Sequence, residues 1–156
     1  ERVYALLAHL GRDVHLADDL TQETFVAAWS NIGKFAGRSS LITWLSQIAY
    51  RKFIDARRRG LVHAQQAEEY RQQCAMQTEE HPTVTDLAAA DRRRRLHSAL
   101  DELDEDDRTL LTLHYLQDLS YREMATVLEK PSGTVKWQTS QALHRLRAHL
   151  NGELEL

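Results

Sequence analysis

The chain has one cysteine, two prolines and six glycines in 156 residues, and each scarcity excludes something. A single thiol, Cys74, leaves no internal disulfide framework and fits a reducing, cytoplasmic setting. So few breakers leave long stretches uninterrupted, and β-branched residues never alternate for long, so strand patterns are missing. No apolar run approaches the roughly 20 residues needed to cross a bilayer, and no signal-peptide pattern opens the chain. The sequence starts at Glu1 rather than at a methionine, as a piece of a longer protein would. Its eight histidines are dispersed. None forms an H-E-x-x-H pair or a Cys/His ligand cluster, and no Gly-rich phosphate loop appears, so no metal site, cofactor or catalytic constellation is expected. What remains is an all-α protein.

Periodicity divides it into two small helical domains joined by a flexible linker. In residues 1–60 a first helix carries Val3, Leu6, Leu7 and Leu10 on one face and ends at Gly11. A second runs from about Leu16 to Ile32, with Phe25, Ala28, Trp29 and Ile32 expected inward. A loop over Gly33–Ser40 precedes a third helix, about Leu41 to Arg59, expected to bury Leu41, Leu45, Ile48, Ala49 and Ala56 with Trp44 and Phe53 at the edges. Over residues 61–95 the pattern weakens, with partial helix expected around Ala64–Met76 and a break at His81-Pro82. Residues 96–156 resume with Leu96, Ala99, Leu100 and Leu103, then Leu110, Leu111 and Leu113.

The last domain contains the sharpest motif. Ser120 and Glu123 form an S-x-x-E capping box, Met124, Ala125 and Leu128 give one apolar face, and Glu129–Gly133 breaks the helix around Pro131, with Gly133 expected to relax the turn. A second helix follows with Val135, Thr139, Ala142, Leu143, Leu146 and Leu150 on one stripe. A short helix, a tight turn and a longer helix match a helix-turn-helix, although a packing hairpin would share the pattern. The opposite face of the second helix presents Trp137, Ser140, Gln141 and His144, flanked by Lys136, Arg145 and Arg147, with no acid between Thr134 and Leu150. Lysine can reach guanine edges, glutamine can pair with adenine, and arginines can hold phosphates.

That acid-free helix sits in an acidic domain. Residues 1–60 hold nine bases and six acids, a net +3, whereas residues 96–156 hold six bases and eleven acids, a net −5. Any nucleic-acid contact must therefore come from local patches. A second patch lies on the third helix, where Gln47, Tyr50, Arg51, Ile54 and Arg58 recur on one face expected to point away from the core. Basic groups track phosphates and an aromatic stacks on an unpaired base, although a basic helix end also simply suits the dipole. Arg38, Ser39 and Ser40, in the loop before it, offer donors to a flipped base. On the second helix Asp19, Gln22, Glu23 and Val26 align as either a partner-docking face or an ordinary solvated one.

Three blocks, DLTQETFVAAW (Asp19–Trp29), FAGRSSLITWLSQIA (Phe35–Ala49) and FIDARRR (Phe53–Arg59), resemble the second conserved region of extracytoplasmic-function sigma factors. The segment from Leu100 to Lys136 resembles their fourth region, in the right order. The resemblance implies a dissociable subunit of bacterial RNA polymerase, not an enzyme in itself. Asp19, Gln22, Glu23 and Val26 would then dock on the β′ clamp helices. The 37–40 loop and the third helix would melt and read the -10 element of promoter DNA. The recognition helix would read the -35 element, with its supporting helices on the β flap, and a membrane-anchored anti-sigma factor would mask both domains. Trp137, Gln138 and Gln141 stand where serine and arginines are usual, and Arg51 where asparagine is common, which implies altered promoter preferences. A sigma-like decoy, binding an anti-sigma factor without driving transcription, is the alternative.

Overall fold

The computed structural model describes residues 1–60 and 84–152, and within them every regular element is helical. The helices are α1 (Arg2–Gly11), α2 (Val14–Asn31), α3 (Leu41–Arg58), α4 (Val84–Glu102), α5 (Glu105–Leu111), α6 (Tyr121–Leu128) and α7 (Ser132–Gly152), with a 3₁₀ turn at Ile32–Lys34 and a π turn at Thr112–Leu116. The helix expected around Ala64–Met76 and the break at His81-Pro82 fall outside the described residues. The C-terminal part of the expected linker is not linker: α4 starts at Val84 and runs unbroken into the second bundle.

The first bundle follows from its caps and stripes. Arg12, left-handed at φ 53°, closes α1 with its N–H on the Ala8 carbonyl. Asp13 then opens α2 by accepting from the His15 and Leu16 amides at 2.9 and 3.0 Å. This two-residue corner folds α2 back onto α1, whose Val3, Leu6, Leu7 and Leu10 are buried as their spacing predicts. In α2 the inward stripe differs from the expected one. Leu16, Ala17, Leu20, Thr24 and Ala28 are buried, whereas Phe25, Trp29 and Ile32 are exposed, Trp29 at 83 %. Thr24 takes the core position because its hydroxyl donates to the Leu20 carbonyl at 2.7 Å, which leaves its methyl to pack as an apolar group.

Along α3 the reading is likewise rotated. Phe53, expected at the edge, is fully buried with Ala49 and Ala56, together with Thr43 and Ser46, while Leu41 is exposed. Ser40 caps this helix, its Oγ accepting from the Thr43 amide at 3.1 Å, and Phe35 stacks on Trp44 with centroids 5.0 Å apart. Those two contacts fix the 33–40 loop against the helix it precedes.

In the second bundle, Ser120 and Glu123 complete the expected capping box, and Met124, Val135, Thr139, Ala142 and Leu146 are buried as the stripes require. Leu96 is exposed rather than a core member. The left-handed residue of the turn is Glu129, at φ 55°, not Gly133, which lies within the first turn of α7.

The two bundles are not independent bodies on a tether. Ala99, Leu103, Leu111, Ala142 and Leu146 form a small core of the second bundle. The main core, however, is continuous from Val3, Leu6, Leu20 and Phe53 to Leu113, Met124, Val127 and Val135. The apolar face of α6 is wider than α7 can cover, and α3 covers the rest. Each such side chain contributes on the order of 1.5–3 kcal/mol when removed from water.

Candidate nucleic-acid interfaces

The docking face on α2 is solvent-facing. Asp19, Gln22 and Val26 are exposed, and Glu23 pairs with Lys52 of α3 at 3.3 Å. Together with Ala27 they line one shallow depression, bordered by the exposed Phe25 and Trp29. Because the inward stripe is rotated from the expected one, this face is more apolar than its sequence spacing predicts.

The basic face of α3 lies elsewhere than expected. Gln47, Tyr50 and Ile54 are half-buried, and α6 covers them instead of solvent. The Gln47 amide donates to the Thr126 carbonyl at 3.1 Å. Arg51 Nε donates to Glu129 at 3.0 Å, and this guanidinium holds the Glu129 carboxyl below the usual carboxylate range. Ser40 and Thr43 donate to Glu123 at 3.5 and 3.0 Å. Burial pushes the Tyr50 phenol up, with Asp106 adding to the rise. The sequence places these residues on one face correctly, but that face points at the other bundle. Arg38 and Arg58 remain exposed, Arg58 within 3.8 Å of Asp55. Ser39 is half-buried, its hydroxyl 3.4 Å from the Ser40 carbonyl.

On α7 the predicted recognition face is presented to solvent. Lys136, Trp137, Ser140, His144 and Arg147 are exposed and Gln141 is half-buried, with Trp137 at 64 %. Arg145 is also exposed but is engaged: it donates to the buried Asp107 carboxylate of α5, which raises its own pKa.

Sequence reasoning did not single out the acceptors that meet the basic face. Glu123 serves both its own capping box and the two hydroxyls of α3, and the Ser120 backbone N–H, followed by the Ser120 hydroxyl, lowers its pKa most. Glu105 pairs with Arg57, and Asp101 pairs with Arg12 at 3.0 Å. The one available signal was the opposite net charge of the two halves. No described helix is long and apolar enough to cross a membrane, and no group of His, Cys, Asp and Glu able to hold a metal occurs among the described residues.

Comparison with known proteins gives a consistent set of likenesses. Residues 1–60 match the family model for Sigma-70 region 2, and residues 93–150 match that for Sigma-70 region 4. The RNA polymerase sigma-H factor of Pseudomonas aeruginosa is 33 % identical over 142 residues, covering 86 % of this chain and 73 % of that protein. The ECF RNA polymerase sigma factor SigK of Mycobacterium tuberculosis H37Rv is 32 % identical over 151 residues, covering 94 % and 78 %. Two solved structures share the fold. One is the Bartonella quintana sigma factor RpoE in complex with the anti-sigma factor NepR, at TM-score 0.69 and 24 % identity over 96 % of this chain and 89 % of that one. The other is CnrH in complex with the cytosolic domain of CnrY, at TM-score 0.66 and 24 % identity over 97 % and 81 %.

Proposed function

This chain belongs to the extracytoplasmic-function sigma factors of the sigma-70 family, and from that premise we propose that it directs bacterial RNA polymerase core to a specific set of promoters and starts transcription there. The observation that carries the reading is the pairing of region 2 with region 4 in one chain, each with a cationic helix suited to nucleic acid. Residues 1–60 bind core and act at the -10 element, and residues 96–156 act at the -35 element.

On this reading Asp19, Gln22, Glu23 and Val26 dock on the β′ clamp helices, and the apolar flank of Phe25 and Trp29 adds buried area. Arg38, Ser39, Ser40, Gln47, Tyr50, Arg51 and Arg58 serve the -10 element: cations take phosphates, while the phenol and hydroxyls receive an unstacked base. Lys136, Trp137, Ser140, Gln141 and His144 face the major groove at the -35 element. Arg147, and Arg145 once it exchanges Asp107 for phosphate, hold the backbone. The supporting helices of region 4 meet the β flap.

Both solved neighbours are complexes with anti-sigma factors, which supports a similar protein partner here, membrane-anchored and reached from the cytoplasm. The relatives are described as sigma factors, and none of these matches supports the decoy alternative. Run-off transcription tests the reading: core polymerase with this chain is expected to start RNA at a defined site, and transcripts no different from core alone would overturn it.

A further inference from the structure

The donors assigned to the -10 element are already occupied, and by the protein itself. Gln47 gives its amide to the Thr126 carbonyl, Arg51 its guanidinium to Glu129, and Ser40 with Thr43 their hydroxyls to Glu123. All three acceptors lie on or at the end of one helix, α6, the first helix of the helix-turn-helix. Nucleic acid offers the same chemistry, a row of anionic and carbonyl oxygens against a donor-rich face. We propose that the acidic edge of α6 is a built-in cover for the -10-reading face, a stand-in for DNA that closes the free protein and must leave before that face takes a promoter strand.

The proposal rests on the assignment of Gln47, Ser40 and Arg51 to the -10 element. Three further observations support the cover. The halves it joins carry net charges of +3 and −5, so attraction between them is general as well as local. Arg57 of α3 and Glu105 of α5 extend the contact past Arg51, and Arg12 with Asp101 closes its far side at 3.0 Å. Beneath the polar rim, Ala49 and Phe53 share one apolar cluster with Met124 and Val127. Exposed ion pairs are weak singly and screened by salt, whereas the apolar layer is not. Opening therefore needs a partner that binds the open form better than the closed one. Core polymerase has that capacity, since it is assigned contacts with both halves.

The test uses the full chain with Cys74→Ser and dyes on cysteines at Ser30 and Ala148, both exposed, so that energy transfer reports the separation of the halves. Affinity for a fluorescent single strand carrying the -10 element is measured alongside. Glu129→Gln is expected to lower transfer and tighten strand binding roughly threefold to tenfold, the range set by loss of an exposed charged contact. Asp118→Asn removes the same charge from an exposed site that no contact ties to α3, and is expected to do neither. Arg57→Glu is expected to lower transfer, and adding Glu105→Arg to restore it. Unchanged transfer in Glu129→Gln and Arg57→Glu overturns the proposal, as does opening with no gain in strand affinity while core-bound protein holds the strand. If the strand fails to bind even with core polymerase, the -10 assignment is wrong and the cover with it, while run-off initiation would still judge the sigma-factor reading separately.

Discussion

Arg145 of the recognition helix donates to Asp107, a buried residue of α5 whose own backbone N–H is held by the Asp104 side chain at 2.8 Å. The pair fixes the angle at which α7 leaves the bundle, so Arg145 has a structural role beside any phosphate contact. Arg145→Ala is expected to lower the thermal midpoint and DNA affinity together, because Asp107 loses its partner. Arg147→Ala, an exposed position, should reduce DNA affinity and its salt dependence with stability changed by less than about 0.5 kcal/mol. Thermal melts beside salt-dependent binding isotherms separate the two roles.

The rotated stripes of α2 and α3 give a second expectation. Phe53→Ala empties a site at the junction of α1, α2 and α3 and should cost roughly 3–5 kcal/mol. Trp29→Ala, at 83 % exposure, should leave stability within about 0.5 kcal/mol of the parent. Denaturant titration distinguishes them, and the reverse order would show that the spacing-based stripe was right.

Acidity is expected to loosen the protein in two steps. Burial lowers the pKa of His9 below its ordinary 6.5, and His97, stacked on it at 6.1 Å, and Arg108 lower it further, while Asp101 opposes them. The unfolded chain therefore takes up the His9 proton first, and stability from neutral His9 is lost as pH falls through 6.5 and below. Glu123 and Glu129 have lowered pKa values. Their contribution is complete above the ordinary glutamate range and is lost only at more acidic pH, as each titrates in the folded protein. Melting temperature against pH should decline first in the histidine range, and His9→Gln should flatten that first decline alone.

Docking and promoter reading are separable in the same way. Gln22→Ala with Glu23→Ala should weaken core polymerase binding without unfolding, the Glu23–Lys52 pair being partly exposed. Gln141→Ala should relax preference at one -35 position, an adenine, by about 1–3 kcal/mol. Trp137→Ala that spares promoter activity but frees the protein from an anti-sigma factor would assign Trp137 to that partner. Unaltered core affinity in a pull-down titration would count against the α2 face.

Local structure was legible wherever a signal was complete within one turn or one helix. The box of Ser120 and Glu123, the α1 stripe and the buried run from Val135 to Leu146 all depend on neighbours a few residues away. Thr24 and Thr43 misled the reading, because a threonine bonded within its own helix or cap occupies a core position that spacing assigns to a larger apolar residue. Phe25 and Trp29 were placed inward for the same reason, hydrophobicity having been taken as burial. The covering of Arg51 by Glu129, 78 positions apart, has no local signature. Only the opposed charges of the two halves hinted at it, and charge alone does not give an orientation.

The central claim is promoter-directed initiation, and the most direct measurement is sequencing of RNA 5′ ends made by core polymerase from a library with randomised -35 and -10 elements. With this chain present, the account predicts starts at a fixed offset from two enriched motifs, with the -35 motif altered in Gln141→Ala and starts depleted in Arg51→Ala. Starts that match core alone, or enriched motifs unmoved by both substitutions, would contradict it.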